Sequence, residues 1–378
     1  MSQKKINLLI LPSLFPNRDK NHINGIFILD YMRSVSTFCK INVFIISSSN
    51  NYNLKVYEEL GATVYEYSFF GFKQKNIITK LWDQLNFFFF GFFKILRTIN
   101  NIDLIHAHGG TRYGYLARFL SKSFRVPYLI TEHTGPFSKI SSDPLKKYFC
   151  KKAMENASAV LCVSKDLEKQ IIDSGINPKR SIVTYNPVDT NLFRISNHSK
   201  NKMNIIFVGR LEEYKGGLRT LRAFQKLHEK YPKWRLTIIG NGPEEKIIVD
   251  YIKKRNLSKK VICKGEMQKK HIYREMKKAT FFVFPSYHET FGLVIAEAMS
   301  CGLPVITTNK TAPPEFVNEK SGVLVNSKSI EDIASAMEHM MLHNDKYNDK
   351  YIRKMIVDNF SFKIFSIRLE KIYRELLF

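Results

Sequence analysis

Short apolar segments alternate with longer amphipathic segments along almost the whole chain. The apolar runs that predict strands in the first half are Ile6–Leu11, Ile41–Ser47, Thr63–Tyr67, Asp103–Ala107, Pro127–Thr131, Ala159–Val163 and Ser181–Tyr185. Helical patterns lie between most of these runs, for example at Phe27–Phe38, Ile77–Ile99 and Pro144–Asn156. Strands that alternate with helices are typical of a parallel α/β sheet.

The same alternation restarts at Met203–Val208 after a polar stretch. The later predicted strands are Arg235–Ile239, Val261–Cys263, Phe281–Pro285 and Pro304–Thr308, and the helices between them include Gly217–Lys230, Glu244–Arg255 and Phe291–Ser300. Because 378 residues are too many for one ordinary hydrophobic core, we predict two doubly wound, Rossmann-like domains in series. The first domain covers residues 1–188 and the second 189–360, with a linker at Asn186–Asp189 and the polar stretch to Lys202.

The charge balance is strongly basic. The chain has 59 Lys and Arg against 34 Asp and Glu, a net charge of +25. Residues 1–188 carry 25 basic and 13 acidic side chains, a net +12, and the remaining +13 lies in residues 189–378. An evenly basic surface suits anionic partners such as phosphorylated substrates or lipid headgroups, although a lysine-rich composition could also account for it. No recognisable nucleic-acid-reading module appears, so nucleic acid is not an expected partner.

The spacing of the cysteines indicates a reducing compartment, and the apolar runs are too short to predict a membrane-spanning helix. The five cysteines are far apart, and the sequence has no C-x-x-C pair that would suggest a zinc ribbon. No apolar run approaches the roughly 18–20 residues that a membrane-spanning helix needs. The apolar run near the amino terminus stops at Pro12 without a small-residue cleavage site, so it predicts a first strand and not a signal peptide. We therefore expect a cytoplasmic protein.

The first candidate motif is Gly209-Arg210-Leu211 followed by Lys215-Gly216, directly after a predicted strand. Glycine permits close backbone approach, and Arg and Lys side chains can converge on one phosphate group. The alternative is an ordinary strand-to-helix loop with two solvated cations.

The second candidate motif contains two glutamates eight positions apart. Glu289 lies in the loop after a predicted strand, and Glu297 lies inside the following helix among apolar neighbours. A carboxylate in an apolar setting is costly unless its oxygens accept hydrogen bonds, which sugar hydroxyls can donate. The alternative for Glu297 is a position on the exposed stripe of an amphipathic helix.

These two motifs, with Cys301-Gly302-Leu303-Pro304 after them, resemble the retaining glycosyltransferases of the GT-B fold, family 4. In the first half, the resemblance covers Asn24-Gly25-Ile26-Phe27, Asp103–His108 and Thr131-Glu132-His133-Thr134, and in the second half also Gly240–Glu244 and Gly265-Glu266-Met267. It implies two Rossmann-like domains that face each other across a cleft. The first domain would bind the acceptor and the second the nucleotide sugar, and a helix at 361–378 would return to the first domain.

The resemblance also implies roles for residues. Arg210 and Lys215 would hold the donor diphosphate, Glu297 would accept from ribose hydroxyls, and Glu289 would contact the transferred sugar. His133 would lie beside that sugar. The residues expected to act in catalysis are His133, Glu289, Arg210 and Lys215, and those expected to bind the donor are Gly25, Gly209, Arg210, Lys215, Met267, Glu289, Phe291, Gly292, Leu293 and Glu297. No metal site is expected, since no Asp-x-Asp pair is present.

Some positions leave the interpretation open. The loop Thr311–Glu315 departs from the family pattern, because relatives more often have glycines before the Pro-Glu pair. His106 and His108 lie on one predicted strand, and for both of them a structural role is favoured over a role in the site.

The expected activity is transfer of a sugar from a nucleotide diphosphate sugar, UDP-linked, to a saccharide acceptor in bacterial surface polysaccharide or glycolipid synthesis, with no other cofactor. Aromatics at Phe87–Phe93 and lysines at Lys146–Lys152 would suit a peripheral position on the inner face of the cytoplasmic membrane and a lipid-linked acceptor. Phe87–Phe93 could equally be core. The alternative functions are another GT-B enzyme such as a nucleotide-sugar epimerase or, from a different class, a basic nucleic-acid-binding protein.

Overall fold

The computed structural model describes residues 4–16, 25–71, 76–195 and 203–378. Two compact units emerge: unit 1 is Met1–Pro187 with Phe362–Phe378, and unit 2 is Val188–Ser361. The division lies one residue before the predicted boundary, and the last helix belongs to unit 1. Of the predicted linker stretch, residues 196–202 lie outside the described residues.

Unit 1 is built on a sheet of eight strands among its described residues. The strands are β1 (Ile6–Pro12), β2 (Cys39–Ser49), β3 (Asn53–Glu59), β4 (Ala62–Phe70), β5 (Leu104–His108), β6 (Tyr128–Glu132), β7 (Ala159–Cys162) and β8 (Ser181–Val183). Their order is β3-β4-β2-β1-β5-β6-β7-β8. The chain reverses its direction of travel across the sheet at β1, which lies between β2 and β5. Ligands of doubly wound sheets bind outside such a switch point.

Strand β3 was not predicted, and it is the one antiparallel strand among the described strands of this sheet. It pairs with β4 through a tight turn at Leu60 (φ 52°) and Gly61 (φ 75°). Positive φ at two central residues matches the twist of a two-residue hairpin. Asn53–Glu59 mixes polar and apolar positions and contains no continuous apolar run, so the sequence pattern did not predict this edge strand.

The helices of unit 1 pack on both faces of the sheet. They are α1 (Ile26–Val35), α2 (Ile77–Thr98), α3 (Arg112–Phe124), α4 (Ser138–Ser141), α5 (Pro144–Met154) and α6 (Lys165–Asp173), together with the C-terminal helix Phe362–Leu377. α1 and the C-terminal helix pack together in one core cluster with Leu8 and Ile10 of β1. α2 contacts α3, and α3 contacts α5.

Unit 2 contains a parallel six-stranded sheet in its described residues. The strands are β9 (Asn204–Val208), β10 (Arg235–Ile239), β11 (Val261–Cys263), β12 (Phe281–Phe284), β13 (Val305–Thr308) and β14 (Gly322–Val325). The order is β11-β10-β9-β12-β13-β14, so the direction of travel reverses at β9. β14 was not among the predicted strands.

The helices of unit 2 connect these strands. They are α7 (Gly217–Leu227), α8 (Glu245–Lys254), α9 (Lys269–Met276), α10 (Leu293–Ser300), α11 (Ile330–His343) and α12 (Asp349–Phe360). The C-terminal helix Phe362–Leu377, which belongs to unit 1, is therefore α13. Since all strands are parallel, their carboxyl ends share one edge of the sheet. The loops after β9, β11 and β12, which hold most of the candidate residues, therefore lie at that edge.

Candidate functional site

The loop after β9 presents two cations with different surroundings. The Arg210 side chain is 60% exposed, and its Nη2 lies 2.7 Å from Glu212 Oε1. Lys215 is 19% exposed, and its Nζ donates to Glu289 Oε1 at 2.6 Å. The Lys215 ammonium also lies 4.9 Å from the centroid of the Tyr214 ring, a cation–π distance. Lys215 and Glu289, predicted separately from two motifs, are in direct contact.

Glu289 follows β12, and its backbone is hydrogen-bonded to the loop Thr311–Glu315, the loop that lacks the glycines of relatives. The Glu289 N–H donates to Thr311 Oγ1 at 3.2 Å. Thr311 takes the left-handed φ of 58° that a glycine would adopt more readily. A short 3₁₀ turn, Pro313–Glu315, comes directly after it. The departure from the family pattern thus places a hydroxyl beside the Glu289 backbone.

Glu297 lies on the buried side of α10, which rules out the exposed-stripe alternative. Its side chain is 6% exposed, and its Oε1 lies 3.0 Å from Lys269 Nζ. Lys269 is the first residue of α9, after the loop that follows β11. Sequence reasoning missed Lys269 because nothing near it in the sequence shows that α9 and α10 place these side chains together.

Arg219 is a second residue that the motif search missed. Its guanidinium donates to the carbonyls of Ser327 at 2.8 Å, Glu213 at 2.7 Å and Pro285 at 3.1 Å. Burial lowers the pKa of Arg219 from its ordinary value. These bonds join the loop that carries Lys215 to the end of β12, so Arg219 positions the loop.

The remaining candidate donor-binding residues of unit 2 lie in the same group of loops. A Cβ on Gly209 would come within 2.7 Å of the Phe284 ring, so the backbone passes close to β12 at this point. Phe291 is buried against Phe316 at 5.2 Å between ring centroids. Gly292 is the N-cap of α10, Leu293 begins that helix, and Met267 is half-buried between β11 and α9.

In unit 1, His106 is satisfied on both ring nitrogens. Its Nδ1 lies 2.6 Å from the hydroxyls of Tyr31 and Tyr373, and its Nε2 lies 2.6 Å from Thr131 Oγ1. Tyr373 belongs to α13, so this network attaches the C-terminal helix to the sheet. The favoured structural role of His106 agrees with this geometry.

His108 and His133 form a stacked pair. His108 Nδ1 lies 3.0 Å from His133 Nε2, and the rings are 5.3 Å apart with an interplanar angle of 18°. His133 also packs against Phe27, with 4.4 Å between ring centroids. Burial lowers the pKa of His133 to about 3, and it lowers the pKa of His108 well below its ordinary value, with further lowering from His106 and His133. Both imidazoles are therefore neutral near pH 7.

Glu132 fixes the backbone that carries His133. Its fully buried carboxylate accepts from the N–H groups of His133 at 2.9 Å, Thr134 at 2.8 Å and Gly110 at 2.8 Å. These bonds connect the ends of β5 and β6, the two strands that bear the histidines. The Thr131–Thr134 motif therefore contains an orienting carboxylate beside the predicted histidine.

Gly25, the candidate in the first loop, has a reason of its own to be glycine. It is the N-cap of α1 with φ 85°, and a Cβ would lie 2.8 Å from the backbone of Leu14 and Phe15. A side chain would thus be strained both by conformation and by contact. Asn24, its neighbour in the motif, lies outside the described residues.

Taken together, the loops of unit 2 provide Lys and Arg cations beside buried carboxylates. Cations at the carboxyl edge of a parallel sheet suit an anionic group, and buried carboxylates suit hydroxyl donors. Within residues 4–16, 25–71, 76–195 and 203–378, no group of three or more His, Cys, Asp or Glu is arranged to hold a metal ion. Across the same ranges, no helix is both long and apolar enough to span a bilayer.

Two Rossmann-like units with cations at the carboxyl edge of a parallel sheet are typical of enzymes that bind phosphorylated ligands. The family description "Glycosyl transferases group 1" matches residues 188–355, and "Glycosyltransferase Family 4" matches residues 43–192. Together the two matches cover most of the chain, and the chain belongs to the family 4 type of GT-B glycosyltransferases. The predicted family 4 type, the fold of two Rossmann-like units and the transferase activity are confirmed, whereas retention and the cleft between the units stay predictions.

One curated relative and two solved structures illustrate the similarity of this chain to glycosyltransferases and to proteins of the same fold. The chain is 29% identical over 262 residues to the GDP-mannose:cellobiosyl-diphosphopolyprenol alpha-mannosyltransferase of Xanthomonas oryzae pv. oryzae, covering 66% of this chain and 68% of the relative. Sucrose-phosphate synthase from Thermosynechococcus elongatus superposes with a TM-score of 0.78 at 18% identity, covering 98% of this chain and 99% of that one. HepE of Anabaena, solved with UDP and glucose, superposes with a TM-score of 0.75 at 17% identity, with coverages of 98% and 99%.

Proposed function

We propose that this glycosyltransferase takes its sugar from a UDP-linked donor bound by unit 2 and transfers it with retention, without a metal ion, to a saccharide acceptor. The observation that carries the proposal is the contact between Lys215 and Glu289, which places a cation suited to phosphate 2.6 Å from a carboxylate suited to hydroxyl groups. The complex of HepE with UDP and glucose supports a uridine nucleotide.

The donor would be held by groups of opposite character. We assign Lys215 and the exposed Arg210 to the diphosphate, where ammonium and guanidinium groups stabilise the charge that develops on the leaving group. Glu289 is assigned to the transferred sugar and Glu297 to the ribose hydroxyls. Each carboxylate is paired with a lysine through one oxygen, and carboxylate oxygens can accept hydrogen bonds from hydroxyls.

The reaction that we propose is a front-face displacement. The bond from the anomeric carbon to the diphosphate oxygen breaks, the acceptor oxygen forms the new bond on the same face, and the departing phosphate oxygen takes the acceptor proton. Lys215 and Arg210 would stabilise the departing anion, and His133 of unit 1 is assigned to the transferred sugar as a neutral hydrogen-bonding group. Retention rests on the family resemblance.

The acceptor is proposed to be a saccharide attached to a lipid, in surface polysaccharide or glycolipid synthesis. The Xanthomonas relative is named for a cellobiosyl-diphosphopolyprenol acceptor, which is a saccharide on a membrane lipid. An enzyme with such an acceptor would work at the inner face of the cytoplasmic membrane, as a peripheral protein. Unit 1 is assigned to the acceptor.

Isothermal titration of the chain with UDP, GDP and their sugar conjugates tests the donor. We expect UDP to bind more tightly than GDP, and Glu297→Gln to weaken the binding of either nucleotide. Lys226→Ala serves as the control, because Lys226 forms an exposed pair with Glu331 on the same unit. Tighter binding of GDP would overturn the UDP assignment, since the Xanthomonas relative is named for GDP-mannose.

A product assay separates transfer from the epimerase alternative. A transferase releases nucleoside diphosphate in proportion to the acceptor consumed, whereas an epimerase changes the sugar without an acceptor. Release of UDP that requires a lipid-linked saccharide would support the full proposal. Conversion of the sugar nucleotide in the absence of any acceptor would contradict it.

A further inference from the structure

Helix α2 has polar residues on its buried side and apolar residues on its exposed side between positions 83 and 89. Asp83 and Asn86 are buried, at 7% and 4% exposure, while Leu85 and Phe89 are 66% and 60% exposed. A helix of a water-soluble domain normally turns its apolar face to the core. This part of α2 therefore exposes apolar side chains to solvent while it buries polar ones.

The exposed side chains form one stripe along α2. The members are large apolar residues at least 43% exposed, namely Ile78, Leu81, Trp82, Leu85, Phe89 and Phe93. At 100° per residue they fall within a sector about 120° wide. Phe87, in contrast, is buried and packs on Tyr113 at 5.0 Å between ring centroids. Phe87 is thus a core residue, whereas Phe89 and Phe93 are exposed, and the membrane interpretation of these two residues stays a prediction.

Aromatic contacts link α2 to the neighbouring helices. Phe88 packs on Tyr115 of α3 at 5.5 Å and on Phe149 of α5 at 5.7 Å between ring centroids. Phe149 in turn contacts Tyr148, which is 52% exposed, at 5.8 Å. The three helices therefore form one layer, with exposed aromatic side chains on more than one of them.

The same layer is nearly free of acidic side chains. Its described side chains include nine lysines and arginines, at positions Lys94, Arg97, Arg112, Arg118, Lys122, Lys146, Lys147, Lys151 and Lys152. The one acid within the three helices is the buried Asp83, and the caps Asp143 and Glu155 at the two ends of α5 pair with Lys146 and Lys151. On the other packing layer, the cations of α13 are interspersed with Glu370 and Glu375, which pair with Arg374 and Arg180.

We propose that the stripe on α2, with the cations of α3 and α5, docks unit 1 on an anionic phospholipid bilayer. Apolar side chains would enter the interface between headgroups and acyl chains, while the cations meet lipid phosphates. A second copy fits poorly, because an isologous contact would oppose two surfaces of the same positive charge. The inference rests on the proposed membrane position of the enzyme and names the surface responsible.

Sedimentation of the full chain with vesicles tests this surface. We expect binding to vesicles of phosphatidylcholine mixed with phosphatidylglycerol and much weaker binding to phosphatidylcholine alone. Leu85→Ser with Phe89→Ser should lower the affinity at least about tenfold, because two exposed apolar side chains no longer enter the interface. The matched control is Ile367→Ser with Leu342→Ser, which are 56% and 55% exposed on α13 and α11 and should leave binding unchanged.

Charge is tested separately. Lys146→Glu with Lys152→Glu should lower affinity for the mixed vesicles at least about tenfold, whereas Lys363→Glu with Lys371→Glu on α13 should have a small effect. About 0.5 M salt should release much of the wild-type protein, since the Debye length falls to a few ångströms.

Tryptophan fluorescence reports the depth of the contact. The two tryptophans are Trp82, 48% exposed, and Trp234, 6% exposed. The emission of the Trp234→Phe chain should shift to the blue when mixed vesicles are added, and the emission of the Trp82→Phe chain should stay constant. Unchanged emission from Trp82 would overturn insertion of the stripe.

Three other outcomes would also overturn the proposal. They are equal binding to both kinds of vesicle, unchanged binding of the Leu85→Ser, Phe89→Ser variant, and a dimer in analytical ultracentrifugation that this variant dissociates. UDP binding by every variant is measured alongside. Loss of vesicle binding with intact UDP binding leaves the donor assignment standing, so the two proposals fail independently.

Discussion

Unit 2 holds two of its candidate carboxylates in buried ion pairs, whereas unit 1 holds three buried imidazoles in the neutral form. Lys215–Glu289 and Lys269–Glu297 bring together side chains that are 6–19% exposed, and each charge faces an opposite one. In unit 1, His106, His108 and His133 stack on one another, and burial lowers the pKa of all three. The nearby Glu132 carboxylate accepts from backbone N–H groups instead.

The difference shows what decides whether a buried group keeps its charge. Desolvation acts on both units, and it disfavours charge in each. In unit 2 each of the two carboxylates has an opposite charge at 2.6–3.0 Å, whereas in unit 1 the histidines lie among one another and burial lowers the pKa of each. Unit 2 is thus suited to a phosphorylated donor, and unit 1 to uncharged hydrogen bonding with hydroxyl groups.

The largest expected effect comes from breaking the first pair of unit 2. Lys215→Ala should reduce kcat by about 10²–10³, or roughly 2.7–4 kcal/mol of transition-state stabilisation. It should also lower Tm, because Glu289 is left buried without its cation, a loss of up to about 3–5 kcal/mol. Glu289→Gln added to Lys215→Ala should restore Tm without restoring kcat. Steady-state kinetics and thermal unfolding measure both.

The exposed pair Lys226–Glu331 supplies the control for this prediction. Its side chains are 50% and 71% exposed, so solvent screens the pair and Lys226→Ala should leave Tm and kcat nearly unaltered. Near-normal turnover by Lys215→Ala would refute the assignment of Lys215 to the leaving diphosphate.

The second pair should show a smaller effect, mainly on binding. Glu297→Gln replaces a charged acceptor with a neutral one, and nucleotide affinity should fall by about 1.5–3 kcal/mol. Lys269→Met should lower stability more than Glu297→Gln does, because it leaves a carboxylate without its cation. Calorimetric Kd and Tm values distinguish the two. An unaltered Kd for Glu297→Gln would assign Glu297 to structure alone.

Acidification should weaken unit 1 through its histidines. Their folded pKa values lie below the unfolded value of about 6.5, so below that pH the unfolded chain binds more protons. Stability is therefore fully present above about pH 6.5 and is lost as the pH falls towards the folded value, at up to about 1.4 kcal/mol per pH unit for each histidine.

Denaturant titrations at several pH values measure this slope. His108→Asn should reduce the slope between pH 6.5 and pH 5, the range above the ordinary carboxylate values. His339→Asn, at an exposed position of α11, is the control. The same slope in wild type and His108→Asn would mean that His108 does not titrate between the folded and unfolded states.

Removal of divalent metal should have the smallest effect. If the cations of unit 2 stabilise the leaving diphosphate, EDTA should leave the rate of UDP release unchanged within error. Strong inhibition that Mn²⁺ reverses would show that Lys215 and Arg210 do not suffice for this step.

Much of the architecture could be predicted from the sequence. Alternating apolar and amphipathic segments depend on local residue order, and they located β1, β2, β9, β10 and most of the intervening helices. Motifs that surround a strand end, such as Gly209–Gly216 and the loop with Glu289, are also local. The polar edge strand β3 and the short strand β14 were not predicted from the sequence. The reason is that burial of an edge strand depends on its neighbours and not on its own residue pattern.

Only the tertiary structure could decide which side chains meet. Lys215 and Glu289 are 74 positions apart in the sequence, and Lys269 meets Glu297 from a different helix. These contacts follow from strand order, which brings the loops after β9, β11 and β12 to one edge of a parallel sheet. The exposed apolar stripe of α2 is likewise a tertiary result, because a helical pattern specifies that two faces differ, whereas packing against the sheet decides which face water meets.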